Sequence, residues 1–177
     1  MTDEATTAET PFWRFSLKFY RQPSVSEACI ALQDEYGVDV NLLLFLLWLA
    51  SDDRQLSAEE VSMLDDNVRD WRNLTIVPIR DVRRKLKGAE TLVDPGAQEA
   101  FRNKVKTIEL EAERLQQEAL YAFAKSGPLG TEALPPVAAL ANIMAYESVL
   151  GVDFPKHSVA ALASAFAAVI GHEPLRG

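Results

Sequence analysis

The residues best suited to binding chemistry are cations that crowd one stretch of an otherwise acidic chain. Seven Arg and Lys side chains lie between residues 69 and 87, against two Asp. Arg80, Arg84 and Lys87 are spaced four and three residues apart, so they share one face of a helix, and Arg83 lies beside them. Arginine forks suit phosphate and carboxylate oxygens. The pattern predicts a basic face that docks an acidic protein or a phosphate group. Its predicted binding residues are Trp71, Arg72, Arg80, Arg83, Arg84 and Lys87.

The basic face has a purely structural alternative. The helix that precedes it is acidic and could fold back and neutralise it, or the charges could form a plain solvated face. The carboxylates that would do so are Glu59, Glu60, Asp65, Asp66 and Asp70. The sequence leaves docking and neutralisation open.

A second kind of chemistry is the binding of an apolar ligand between helices. Trp13 and Trp48 could line such a pocket, and Asn41 could supply its polar contact within an apolar run. Core packing is the ordinary role for both tryptophans. A buried Asn must also find partners, and capping beside Asp39 would provide them.

Few residues point to catalysis. Cys29, beside Ile30 and Leu32, reads as a buried thiol rather than a nucleophile. His157 and His172 are the two histidines, about a helix apart, so the sequence predicts no metal site. It also contains no Walker loop, dinucleotide fingerprint or nucleophile elbow, so no cofactor is expected. A metal-independent enzyme that uses scattered carboxylates such as Asp34 and Asp39 remains a third hypothesis, behind a non-enzymatic adaptor and an apolar-ligand carrier.

Composition limits the partners and the compartment. The chain has 177 residues, a net charge of -8 and a pI near 4.8, which disfavours general binding to nucleic acid. Its most apolar run, 40–50, is about half the length that a membrane-spanning helix needs, so no transmembrane segment is predicted. With a single cysteine and no signal-peptide pattern, cytoplasm is the default location. Residues 1–10 are predicted to be a disordered acidic tail, and 11–177 a single domain.

The elements that must position these residues all read as helices. In the N-terminal half, 11–88, short apolar helices are followed by a helix that begins at the capping box Ser57-Ala-Glu-Glu60, and Pro78 begins or kinks the basic helix. In the C-terminal half, 94–177, one long helix from Pro95 to Lys125 precedes two Ala-rich helices that suit a tight hairpin. The predicted fold class is therefore an all-α, irregular multi-helix bundle.

The long helix carries a heptad-like seam. Its apolar residues alternate spacings of four and three, which indicates lengthwise packing on a partner helix. Such a seam fits packing within the chain or a homodimer through residues 95–125, and the sequence does not separate the two. The seam consists of Phe101, Val105, Ile108, Ala112, Leu115, Ala119 and Ala122.

The segment from Phe12 to Gly88 resembles a family of small proteobacterial proteins of unknown function. The recurring elements are Phe12-Trp13, Leu32-Gln33-Asp34, the run 39–44 (DVNLLL), Trp71-Arg72 and Pro78-Ile79-Arg80. The resemblance implies a bacterial, intracellular protein and supplies no mechanism.

Overall fold

The computed structural model describes residues 9–88, 90 and 92–171 of the 177-residue chain. These residues form an all-α bundle, as the sequence predicted, together with one two-stranded antiparallel ribbon that was not predicted. Of the predicted tail, Glu9 and Thr10 are described, and residues 1–8 lie outside the described part. In chain order the elements are α1 (Pro11–Tyr20), α2 (Val25–Tyr36), α3 (Val40–Ser51), β1 (Arg54–Gln55), α4 (Ala58–Trp71), a π-helical turn (Arg72–Ile76), α5 (Val77–Gly88), α6 (Pro95–Lys125), β2 (Thr131–Glu132), α7 (Pro135–Leu150) and α8 (Lys156–Ile170).

Helix α3 forms the centre of the core. It is apolar all round, and nine of its twelve residues are buried, as expected for a helix surrounded by others. Helices α1, α2, α4, α6 and α7 all pack against it. Asp39 caps its N-terminus by accepting hydrogen bonds from the backbone N–H groups of Asn41 and Leu42. The same core cluster contains residues from both halves of the chain, including Phe12 on α1 and Phe166 on α8.

Pro78 does not separate two helices. The predicted capping box of Ser57 and Glu60 starts α4, and the helix then continues through the π-helical turn into α5. Proline has no N–H and its ring crowds the carbonyl four residues earlier, so a wider turn directly before Pro78 lets the helix continue. The acidic part of this helix therefore cannot fold back on the basic part, and α5 packs instead on α6.

The seam of α6 differs from the prediction. Asp94 caps the helix as expected, and Val105 and Ala112 of the seam are buried. Phe101 and Ile108, however, are each 57% exposed. The buried face is rotated toward polar residues such as Glu109, which binds arginines of α5, and Gln116, which donates to Asp39 at the start of α3. A homodimer through this helix stays a prediction.

The C-terminal helices pack on the rest of the bundle as well as on each other. α7 lies along α3 and α4, whereas α8 contacts α1, α2 and α7. Their buried alanines, among them Ala138, Ala139 and Ala165, allow this close approach. No helix in the described part of the chain is long and apolar enough to cross a membrane.

Candidate ligand-binding cleft

Arg80 and Arg83, at the centre of the predicted basic face, bind carboxylates of α6. The Nε of Arg80 is 2.9 Å from Oε1 of Glu109, and its Nη2 is 2.7 Å from Oε1 of Glu113. Arg83 also donates to both oxygens of Glu109. Arg80 and Arg83 are thus neutralised by α6, which was not among the predicted partners, whereas α4 supplies a carboxylate to Arg72. These two guanidinium groups hold α5 on α6.

Apart from Lys87, the other members of the predicted face also have partners within the chain. Arg84 pairs with Asp34 on α2 at 2.9 Å, and both side chains are exposed. The indole N–H of Trp71 donates to the carbonyl of Ala112 at 2.9 Å, so this half-exposed ring joins α4 to α6. Lys87 is exposed and forms no ion pair with the described residues.

Glu109 and Glu113 have pKa values shifted in opposite directions. Burial raises the pKa of Glu109, but the hydrogen bonds from Arg83 and Arg80 outweigh it and hold the pKa below the usual 4.5. For Glu113 burial dominates, and despite the attraction of Arg80 its pKa lies above 4.5. The stability that Glu109 contributes is therefore complete above pH 4.5 and is lost as the pH falls through its lower, folded-state pKa. Glu113 has the opposite effect, because its charged form is disfavoured in the folded protein.

We expect these two carboxylates to give opposite pH profiles when each is replaced by Gln. Glu109→Gln leaves the partly buried Arg83 without a carboxylate and Arg80 with Glu113 alone, and it should cost about 3 kcal/mol at pH 7. That cost should shrink as the pH falls below 4.5. The difference between wild type and Glu113→Gln should instead move in favour of the variant as the pH rises above 4.5. Urea unfolding from pH 3 to pH 8 measures both, and parallel profiles would contradict the assignment.

Arg72 lies in a buried network at the meeting point of α3, α4, α6 and α7. Its Nη1 is 2.8 Å from Oδ2 of Asp39 and 2.8 Å from Oδ1 of Asp65. Gln116 donates to the same Asp39 oxygen at 2.6 Å, and the backbone N–H of Asp39 donates to the hydroxyl of Tyr146. Burial opposes the charge on Arg72, but the two carboxylates outweigh it and raise its pKa. The network joins four elements of the bundle, and Oε1 of Gln116 is a buried oxygen that has no hydrogen-bond partner among the described residues.

The three residues of the predicted apolar pocket do not share one pocket. Asn41 is buried, and its Oδ1 accepts from Nε2 of Gln117 at 2.9 Å. Gln117 in turn accepts from the hydroxyl of Ser16. Trp13 lines a smaller cavity of about 340 Å³ between α1 and α6. Of the three, Trp48 alone lines a cleft at the C-terminal end of α3.

The cleft beside Trp48 has a volume of about 530 Å³, within the usual range for small-molecule sites. It lies between α1, the C-terminal ends of α3, α6 and α8, and the loop 127–129. Phe15, Trp48 and Tyr121 form an aromatic floor, with Leu49 and Leu129 buried beneath the opening. Trp48 and Tyr121 have ring centroids 5.6 Å apart.

Four cations surround this opening, which we call the cationic cleft. Arg14 and Lys18 come from α1, Arg54 from β1 and Lys125 from the last turn of α6. None of them forms an ion pair with a carboxylate of residues 9–88, 90 or 92–171. The cleft contains one acidic side chain, Asp52, so cations outnumber carboxylates by four to one. In a protein of net charge -8, this local excess of positive charge attracts anions.

The hydrogen bonds of these cations leave donors free. Nζ of Lys18 donates to the carbonyl of Val169 near the end of α8, and Nη1 of Arg14 donates to the carbonyl of Glu9. Lys125 lies 5.4 Å from the centroid of the Tyr121 ring. An ammonium has three donors and a guanidinium five, so each side chain retains N–H groups for a ligand.

Buried contacts fix the part of the cleft that carries Arg54. Nδ2 of Asn142 donates to the carbonyls of Leu46 and Arg54, and its Oδ1 accepts from the N–H of Leu56 at 2.7 Å. Asn142 is fully buried and ties β1 to α3 and α7. The backbone of Arg54 is therefore held in one position before any ligand binds.

Gly130 fixes the position of the loop beside β1. Its φ is +68°, and a Cβ atom there would lie 2.6 Å from the carbonyl oxygen of Gln55. Its N–H donates to Glu60, whose second carboxylate oxygen serves the capping box of α4. Only glycine allows the loop to approach β1 this closely.

Metal and nucleophile chemistry find little support in the described residues. No group of three or more His, Cys, Asp or Glu there is arranged to hold a metal ion. Cys29 is fully buried, and burial raises the pKa of its thiol to about 12. His157 is exposed in the first turn of α8, and His172 lies outside the described residues.

None of the four cations of the cleft was among the binding residues predicted from the sequence. Arg14 and Lys18 carried a usable signal, since they are four residues apart on an aromatic helix and therefore lie on one face. Arg54 and Lys125 carried none, because they are far apart in the chain and meet only through the packing of α3 against α6.

The fold and the cleft define the class of this protein as an all-α helical bundle with a cationic, aromatic-floored cleft. The chain belongs to the family described as "Protein of unknown function (DUF2390)", which matches residues 11–120. This confirms the resemblance to an uncharacterised family and extends it from Gly88 into α6. Comparison with curated proteins and with solved structures finds no match.

Proposed function

We propose that this protein is a binding protein for a small anionic molecule, held in the cationic cleft. The observation that carries the proposal is the group of four cations around one opening, none of which has a carboxylate partner among the described residues. Arg54 is the half-buried one of the four, and the half-buried arginines elsewhere in the described part of the chain are paired. The proposal keeps the anion recognition predicted from the sequence and moves it from α5 to the cleft. It also replaces the wholly apolar ligand of the carrier hypothesis with a charged one.

Docking of an acidic protein through α5 has weaker support. Arg80 and Arg83 would have to leave Glu109 and Glu113 before they could bind an external carboxylate. Such an exchange gains little, because one carboxylate replaces another and the half-buried α6 glutamates lose their partners. Arg84 and Lys87 are the members of the predicted face with accessible charge.

A thermal-shift titration with charged and neutral small molecules tests anion binding. A ligand at 100 times its Kd adds about 2.7 kcal/mol to the free energy of unfolding, which should raise the Tm by about 5 to 10 °C in a chain of this size. We expect phosphate esters or carboxylates to give such shifts, and neutral sugars and alcohols to give none.

Two matched double variants assign the binding to the cleft. Arg14→Gln with Lys18→Gln removes two cleft cations on α1, and the shift by the active anions should largely disappear. Lys104→Gln with Lys106→Gln removes two exposed cations of α6 outside the cleft and should leave the shift unchanged. The proposal fails if no anion stabilises the wild type, or if both variants lose the effect equally.

A further inference from the structure

The rings on the floor of the cationic cleft limit what the anion is attached to. Trp48 and Tyr121 both line the opening and are only partly buried. On its inner side Trp48 packs against Phe12 and Phe45, with centroids 5.6 Å away in each case. The core therefore backs Trp48, and its ring is tilted by 52° to that of Tyr121, so a planar ring that stacks on one of them meets the other with its edge. Such a floor favours a planar ring, because aromatic faces stack on one another.

Lys125 places positive charge next to this stacking surface. Its ammonium lies 5.4 Å from the Tyr121 ring centroid, which is a cation–π distance, and it belongs to the flexible end of a side chain. A ligand ring that covers Tyr121 would displace the ammonium toward the rim, where it can meet an anion attached to that ring. The ring and the anionic group of the ligand would then bind side by side.

The number and type of cations favour phosphate over a single carboxylate. Arg14, Lys18, Arg54 and Lys125 approach from three different elements, so a ligand that satisfies them needs acceptor oxygens in several directions. A terminal phosphate has three such oxygens and up to two charges, and the guanidinium groups of Arg14 and Arg54 can each bind it in bidentate fashion.

We propose that the ligand of the cationic cleft is a phosphate ester of a planar ring compound, such as a nucleoside phosphate, with its ring on Trp48 and Tyr121 and its phosphate among Arg14, Lys18, Arg54 and Lys125. This inference rests on the proposed function and adds the chemical class of the anion. The chain has no Gly-rich phosphate loop, so recognition comes from these side chains. A long nucleic acid fits less well, because the remaining surface of a chain with net charge -8 repels it.

Three related probes separate the contributions of ring and phosphate. AMP contains both groups, ribose 5-phosphate lacks the ring, and adenosine lacks the phosphate. Isothermal titration at fixed low salt should give AMP a Kd at least about tenfold lower than that of either partial ligand. AMP should also change tryptophan fluorescence, because Trp48 forms part of the floor. A titration with phenyl phosphate and with methyl phosphate, which lacks a ring, repeats the test of the ring with a different compound.

Variants of Tyr121 test the ring contact directly. Tyr121→Leu keeps an apolar side chain but removes the stacking face, and it should weaken AMP by about tenfold while leaving ribose 5-phosphate unchanged. Tyr121→Phe keeps the ring and should retain AMP binding. Urea unfolding of each variant checks that the protein remains folded under the titration conditions.

The possible outcomes distinguish failure of the ligand class from failure of anion binding itself. Equal affinities for AMP and ribose 5-phosphate would overturn the ring assignment and leave anion binding intact. Equal affinities for AMP and adenosine, unaffected by Arg14→Gln with Lys18→Gln, would overturn both proposals. Failure of AMP and phenyl phosphate to bind, while another anion stabilises the protein through the cleft, would overturn the ligand class alone.

Discussion

Asp39→Ala is expected to lower the free energy of unfolding by about 4 kcal/mol. Two losses add up in this variant. The cap of α3 disappears, and Arg72, whose side chain is 19% exposed, loses one of its two carboxylates inside the bundle. Gln116 loses its acceptor as well. Urea unfolding at pH 7 measures the change.

Two further variants separate the cap from the charge pair. Asp39→Asn retains a capping oxygen and removes the negative charge, so its cost should come mainly from Arg72. Combining Asp39→Asn with Arg72→Met should cost less than the sum of the single changes, because no uncompensated charge then remains beside residue 39. Strict additivity in this cycle would show that the two side chains do not depend on each other.

Asn142→Ala should be the second most damaging of the proposed changes, at about 3 kcal/mol or more. The variant removes three hydrogen bonds from a fully buried side chain and leaves the N–H of Leu56 without its partner. An unsatisfied buried group costs about 1–3 kcal/mol, and the lost volume adds a cavity term. Thermal or urea unfolding at pH 7 provides the measurement.

The position of Asn142 predicts a second effect, on binding. Because its amide holds the backbone of Arg54, the folded variant should also bind anions in the cleft more weakly than wild type. Gln33→Ala is the matched control, since that amide forms one long hydrogen bond to Asp34 at the surface and its removal should change stability by less than about 0.5 kcal/mol. If Asn142→Ala binds anions as tightly as wild type, Arg54 does not contribute to the binding site.

The changes at Asp39 and Asn142 affect two different sets of buried contacts in the same helical bundle. The Asp39 network joins α3 to α4, α6 and α7, and Asn142 joins α7 to α3 and β1. Both rely on buried polar groups with several partners, where removal of one side chain leaves others unsatisfied. The cationic cleft lies at the end of this packed region, so its rim is held by elements that do not themselves contact a ligand.

Local signals in the sequence determined the helices. The capping residues Asp39, Ser57 and Asp94 act within their own first turns, so the start of a helix is encoded by neighbours in the chain. The uninterrupted apolar run 40–50 likewise marked the central helix, because a segment that is apolar on every side must be surrounded. The all-α class and the family relationship follow from the same local patterns.

Charge pairing was decided by the tertiary structure. The basic stretch was visible in the sequence, but its partners Glu109 and Glu113 lie more than 25 residues away on α6. Whether α4 or α6 would neutralise Arg80 and Arg83 depended on the π-helical turn before Pro78, through which α4 continues into α5 instead of turning back. The charge pattern of the sequence shows which side chains are able to form ion pairs. The path of the backbone determines which of these ion pairs form.

The cationic cleft is the clearest example of a feature that the tertiary structure decided and the sequence did not. Arg14, Lys18, Arg54 and Lys125 are separated by up to 111 residues and belong to three elements. Helix propensity and hydrophobic period carry no information about which helix ends meet, because that depends on how side chains from distant segments fill the space around α3. The sequence determined the elements and the charge available to this protein, and the packing around α3 decided which charges are paired and which surround an open cleft.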